Sequence, residues 1–370
     1  MFRRLLYLNG LAIACVVLFH AAGMGFVALF SWAHRYLPAP VNPAAQIGTP
    51  AYFFLRFIEQ TTSFSIVAFL FVSGYFIAIA TSKNRETISW NIVGNRVKTL
   101  LIPYLFWSFV VIFLQVSLEG RRPTPVQLLS DLALGQTNEV LYFVPLLIQF
   151  YLLAPLLVFF AKKNWKLFLG IAGLVQLAVL LLPYPLFLNL DVPNAARLSA
   201  LVPKWLFLSR VFWFSAGIVF GFQLEAFKSA FQRLRWAALA VVIIAIPLGM
   251  VEWELYFRLS GQPWLAYRET LLDACFSIAV ITCLLGFLQV RLPAARGLER
   301  LGKDSYGIYL THYLFIEYTA KVIYRLYPQL LGNQIVLQPI LILVGLGIPV
   351  VMMYIVDHSP VRKLYAYIFG

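Results

Sequence analysis

The chain has 370 residues, of which 61% are hydrophobic and only 12% charged, and its mean hydropathy is +0.82. A soluble domain carries roughly 25% charged residues, so there is too little polar surface here for a water-soluble globule. The net charge of +14 is spread over short loops without one basic face, as expected for Lys and Arg facing anionic lipid, and this excludes nucleic-acid binding.

A spanning helix needs about 20 apolar residues, and ten segments meet that length. The first covers 5–29; the basic start Met1-Phe2-Arg3-Arg4 resembles a signal peptide, but the apolar run is too long for one, so it reads as a retained helix. The second, 60–81, is preceded by an apolar stretch, 51–57, suited to the membrane interface. The others cover 99–118, 140–161, 167–188, 205–225, 236–253, 270–289, 305–325 and 334–356. The expected fold is therefore an all-α polytopic membrane bundle of about ten transmembrane helices, organised as a single domain over 1–370. Cys15, Cys275 and Cys283 all lie in apolar segments without metal-ligand spacing, so no metal site and no disulfide framework is expected.

Loop charges support the count. The N-terminus, the alternate loops that contain Lys83, Lys162, Lys228 and Arg291, and the C-terminus together hold 18 basic residues, against 8 in the intervening loops. That alternation places both termini in the cytoplasm. The far-side loops are longer and rich in proline and aromatics, as in Pro38-Ala39-Pro40 and Pro183-Tyr184-Pro185.

Polar residues inside these spans are the candidate functional groups, since a titratable side chain in the membrane usually faces protein or a water-filled cavity. His20 lies in the first span, roughly 22 Å from its cytoplasmic end, and Asn9 roughly 6 Å in. Their separation is about three turns, so both share one helix face. Arg96 and Lys98 precede Pro103-Tyr104 at the cytoplasmic start of the third span, where they either snorkel or hold phosphates. Arg210 lies on the sixth span, Arg56 and Glu59 are spaced to pair with each other, and Asp273 needs a partner. In the ninth segment Ser305, Tyr309 and His312 share a face, with Tyr306 about 100° away. Interhelical hydrogen bonding would account for that face without any catalytic role.

Taken together, Gly10-Leu11-Ala12 through His20, Phe71-Val72-Ser73-Gly74-Tyr75-Phe76, Arg96 to Pro103-Tyr104, Tyr142-Phe143-Val144-Pro145 into Phe150-Tyr151-Leu152-Leu153-Ala154-Pro155, and Ser305 through His312 resemble the acyltransferase-3 family of bacterial membrane O-acyltransferases. The resemblance spans nearly the whole chain. It implies an enzyme of the bacterial inner (plasma) membrane with no bound cofactor. Such an enzyme takes an acyl group, typically acetyl, from acyl-CoA (acetyl-CoA) as co-substrate. The acceptor is a hydroxyl of a surface carbohydrate or a lipid-linked sugar.

The family's catalytic base maps onto His20. Asn9, Arg96, Lys98, Ser305 and Tyr306 are then expected at the donor, with Tyr309, His312 and Arg210 lining a cavity. The chain departs from the family at the arginine usually found eleven residues before the histidine, often with an aspartate three residues earlier. Here those positions are Asn9 and Leu6, and Thr99 stands where another cation is common. Asparagine can donate a hydrogen bond but cannot neutralise a phosphate. The alternative function is export or flipping of a polysaccharide or lipid-linked sugar without acyl transfer.

Overall fold

The computed structural model describes residues 1–37, 43–81, 85–262, 264–265, 267–290 and 292–370. Lys83 and Arg291 of the charge alternation and the Pro38-Ala39-Pro40 run lie outside them. The described residues form helices and no strand. In chain order these are α1 (Phe2–Phe26), α2 (Pro50–Thr62), α3 (Ser65–Ala80), α4 (Trp90–Glu119), α5 (Pro125–Leu134), α6 (Phe143–Lys163), α7 (Trp165–Leu181), α8 (Tyr184–Phe187), α9 (Ala195–Ala200), α10 (Val211–Phe222), α11 (Leu224–Leu259), α12 (Leu271–Gly286), α13 (Ala295–Lys303), α14 (Ser305–Leu326), α15 (Gln334–Asp357) and α16 (Tyr365–Ile368).

Every one of the ten expected spans falls on a helix. Among the described residues, seven segments are long and apolar enough to cross a membrane. Two shorter apolar stretches, Phe207–Phe222 and Leu271–Gly286, carry the sixth and eighth spans. The ninth is α14, whose 22 residues include Glu317, Lys321 and Arg325. The 51–57 stretch becomes part of α2, which runs almost continuously into α3 and buries Arg56, Glu59 and Gln60. The protein is an all-α polytopic membrane bundle. Its lipid-facing residues are as apolar as its core, with Ile243 62% and Leu174 68% exposed.

Local sequence sets the helix ends. Thr49 caps α2, accepting from the Tyr52 N–H with Pro50 in the first turn. Thr124 with Gln127, and Thr270 with Asp273, form capping boxes at the starts of α5 and α12. Gly120 ends α4 at φ +70°, a conformation that favours glycine.

The chain divides into two compact units. One comprises Met1–Leu5 with Ile66–Leu292, the other Leu6–Ser65 with Pro293–Gly370. Within the first, α3 crosses α10 with backbones in contact. A Cβ on Gly74 would lie 2.1 Å from the Phe214 carbonyl oxygen, and one on Gly217 would lie 2.0 Å from that of Phe71. Phe150 stacks on Phe214 at 4.7 Å beside this crossing. The Tyr104 hydroxyl donates to the Leu132 carbonyl at 2.6 Å and ties α5 to α4. Bilayer lipid is itself apolar, so helix association relies on close packing of small residues rather than hydrophobic burial.

The second unit uses the same device between α1 and α13. A Cβ on Gly10 would lie 1.8 Å from the Leu298 carbonyl oxygen, and one on Gly302 would lie 2.0 Å from that of Leu6. Farther along, Gly345 of α15 lets Ile316 of α14 and Val17 of α1 close in, at 2.7 and 3.1 Å from the position of its absent Cβ. Helices α1, α14 and α15 thus meet at Gly345, and these three helices carry Asn9, His20, Ser305, His312, Gln334 and Gln338.

Candidate active site

Helix α1 carries a polar seam. At its start the Asn9 carboxamide nitrogen donates to the Gly302 carbonyl at 2.8 Å and to Ser305 Oγ at 2.7 Å. Ser305 in turn donates to the Gly302 carbonyl at 3.1 Å. Both Asn9 N–H groups are thereby committed to the junction of α13 and α14, directly beside the Gly10–Gly302 crossing. Tyr306 follows in the first turn of α14 and is half-buried.

Three turns along α1, His20 is half-buried and faces α14. Its ring centroid lies 5.3 Å from that of His312 and 5.4 Å from that of Tyr313, the latter edge-on. His312 is 0% exposed. Its Nδ1 lies 2.7 Å from the Tyr309 carbonyl oxygen and 3.2 Å from that of Ile308. A carbonyl only accepts, so Nδ1 carries the proton and the neutral ring presents an unprotonated Nε2. That Nε2 is buried and has no hydrogen-bond partner among the described residues. Tyr309, also buried, packs against the His312 ring at 5.8 Å.

Sequence spacing alone misses the next part of the seam. Gln338 of α15 donates to the Ala21 carbonyl at 3.1 Å, one residue beyond His20, and to Gln334 Oε1 at 3.0 Å. Gln334 and Gln338 are both buried; two glutamines four residues apart in an apolar span were the available signal. Beyond them, Arg56 and Glu59 pair at 2.6 Å as their spacing predicts. The Arg56 guanidinium lies 4.7 Å above the Phe26 ring and 5.2 Å above the Tyr52 ring.

The remaining candidates belong to the first unit. Arg96 is half-buried, over the Tyr151 ring at 5.8 Å and 3.4 Å from the Phe76 carbonyl. Lys98 is exposed: two residues along a helix is about 200° of rotation, so the two cations face different ways. Arg210, at the start of α10, forms an ion pair with Glu269. Burial pushes the Glu269 carboxyl up from its ordinary value, while Arg210 pulls it down. Burial lowers the Lys204 ammonium nearby, with further depression from Arg210 and Arg268. Asp273 accepts from the Tyr267 hydroxyl at 2.9 Å and from the Thr270 N–H at 3.1 Å, and Thr270 Oγ1 donates to Glu252 at 2.7 Å. Asp273 thus has neutral donors, a tyrosine hydroxyl and a backbone N–H, among its partners.

The second unit thus brings together Asn9 with Ser305, and His20 with Tyr309 and His312. It offers one half-buried imidazole beside one fully buried imidazole whose tautomer is set by its own helix, a pairing suited to taking up and returning a proton. Comparison with curated proteins and with solved structures yields no match to either. The acyltransferase domain of the acyltransferase-3 family matches residues 4–354, and the chain belongs to this family of membrane acyltransferases.

Proposed function

We propose that the protein is an O-acyltransferase of the bacterial inner membrane, moving an acyl group, most simply acetyl, from acyl-CoA to a hydroxyl of a cell-surface carbohydrate or lipid-linked sugar. The observation that carries this reading is the half-buried His20 packed against His312 in a chain of this family. A sugar hydroxyl is a poor nucleophile at neutral pH. His20 takes its proton as the oxygen attacks the thioester carbonyl. The tetrahedral intermediate collapses, the C–S bond breaks, and the imidazolium returns the proton to the departing CoA sulfur. Ester and free CoA are the products, and His20 ends neutral as it began.

The donor's phosphates require fixed cations. Asn9 is neutral and its N–H groups are already used at the α13–α14 junction, so in this reading it shapes the site rather than neutralising the donor. Of the two cations on α4, Arg96 is half-buried and Lys98 exposed, and Arg96 is the one proposed to meet a phosphate.

The test is CoA release by purified protein in nanodiscs given acetyl-CoA and a carbohydrate acceptor, for wild type and His20→Ala. Release that depends on His20 supports the reading. Equal turnover in both proteins removes His20 as the base. Vesicle-to-vesicle movement of a lipid-linked sugar without any consumption of acyl-CoA would favour the carrier function instead.

A further inference from the structure

We infer that His312 is a positioning residue for His20: its Nε2 accepts a hydrogen bond from a ring N–H of His20 and so fixes which His20 nitrogen is left to act as base. This rests on the acyl-transfer reading for its catalytic consequence, but its structural content does not.

The His312 ring carries an unmet hydrogen bond. His312 is fully buried, its Nδ1 proton is committed to the Tyr309 carbonyl at 2.7 Å, and its Nε2 has no partner among the described residues. A buried acceptor without a donor is costly, by about 1–3 kcal/mol, so a donor is expected in reach. Nδ1 points back at the carbonyls of its own helix, so Nε2, across the ring, points away from the α14 backbone. The neighbouring imidazole is His20 of α1, with its ring centroid at 5.3 Å from that of His312 and a tilt of 44°. Subtracting both ring radii gives a closest possible edge approach of about 3 Å, within hydrogen-bond reach. Rotation about the broad χ2 torsion of His20 brings an N–H onto Nε2.

The consequence is chemical. A neutral imidazole carries one proton, and a free one divides it between two nitrogens. With Nε2 of His312 accepting, the His20 proton stays on the inner nitrogen, and the outer one keeps its lone pair for the acceptor hydroxyl. When the outer nitrogen takes the hydroxyl proton, the inner N–H bond to His312 becomes charge-assisted and strengthens. His312 gains and loses no proton in the cycle. A carboxylate in this place would add a charge inside the membrane, whereas a neutral imidazole does not.

The chain has only four histidines, His20, His34, His312 and His358, so 15N-histidine labelling gives a spectrum that single substitutions can assign. In nanodiscs, wild-type His312 should carry its proton on Nδ1, and His20 should show a single tautomer. Two replacements separate the two ends of the His312 ring. His312→Asn keeps a donor for the Tyr309 carbonyl but has nothing at the Nε2 position. His312→Gln can place its amide oxygen there. His20 should lose its single tautomer in His312→Asn and keep it in His312→Gln. Acyl-transfer turnover should fall on the order of 10²-fold in the former and less in the latter. A proton on Nε2 of His312, or a His20 spectrum indifferent to His312→Asn, overturns the inference whether or not the protein transfers acyl groups. Loss of acyl transfer from the wild type itself, with the tautomers as described, refutes only the proposed function.

Discussion

Replacing Gly10 by alanine should be among the most damaging single-methyl changes in the second unit. The added Cβ would lie 1.8 Å from the Leu298 carbonyl oxygen, 2.6 Å from its carbon and 3.0 Å from the Gly302 nitrogen. All three are backbone atoms, so no side chain can swing aside. Ordinary contact begins near 3.4 Å, so α1 and α13 must separate by about 1.6 Å. That movement stretches the Asn9 bonds to Gly302 and Ser305, now 2.8 and 2.7 Å, past hydrogen-bonding distance. Overpacking costs about 1–3 kcal/mol, and two lost hydrogen bonds add about 1 kcal/mol each. The expected total is about 4 kcal/mol.

Gly23→Ala is the control, because it lies on the same helix and a Cβ there meets nothing within 4 Å. Unfolding in mixed micelles, followed by denaturant titration, should rank Gly10→Ala far below wild type and Gly23→Ala close to it. If Gly10→Ala unfolds with Gly23→Ala, α1 and α13 are not in backbone contact at this crossing.

Asn9→Ala removes the two junction bonds without adding volume, so it should lose about 2 kcal/mol and fall between those two variants in the same titration. Glu59→Ala leaves the buried Arg56 without its counter-ion; breaking such a pair costs about 3–5 kcal/mol. The double variant Arg56→Met with Glu59→Leu should recover most of that loss in a thermal unfolding assay, and a double variant as unstable as Glu59→Ala would argue against an ion-pair origin. Asp304, outside the spans, has its carboxyl raised by burial, with Arg300 and Lys303 opposing the rise. A raised carboxyl stabilises the fold fully below its unfolded value, and that contribution is lost as pH rises through the folded value. Asp304→Asn should therefore match wild type in acid and exceed it at neutral pH; a thermal difference that does not change with pH would contradict this.

The ten spans were legible because their composition leaves no other fate in lipid, where every backbone group must be satisfied within a helix. Polar positions were legible as faces: the eleven-residue spacing of Asn9 and His20, and the Ser305–Tyr309–His312 stripe, both turn inward as read. Partners were not legible. A membrane helix is apolar on its buried and its lipid-facing sides alike, so periodicity does not reveal which neighbour a face will meet. Hence neither the tyrosine and threonine that bond Asp273 nor the Glu269 that pairs with Arg210 from a distant loop could be named from the chain. Arg96 and Lys98 look like a pair in the chain, yet they diverge by about 200° on the helix. The glycines were the least readable. Gly10 and Gly23 look alike in the sequence, and only the packed structure shows that one is a contact point and the other open.

The residue that departs from the family pattern acquires a meaning from this packing. Asn9 stands where the resemblance leads one to expect an arginine, and here its two N–H groups hold α1 to the start of α14. His20 is then bracketed. Eleven residues before it the helix is tied by Asn9 to Gly302 and Ser305, and one residue after it the Ala21 carbonyl accepts from Gln338. A helix fixed on both sides of a side chain cannot slide or roll much, so the placement of His20 against His312 follows from joints that touch no substrate. A guanidinium restored at position 9 would add the missing charge, but it would also replace a short amide inside a crossing already closed to a single methyl. The expected result of Asn9→Arg is therefore lower stability and a displaced His20, and not a gain in donor affinity. Thermal unfolding together with an acetyl-CoA titration of the variant tests this, and tighter donor binding at unchanged stability would show that the asparagine is a lost ligand rather than a joint.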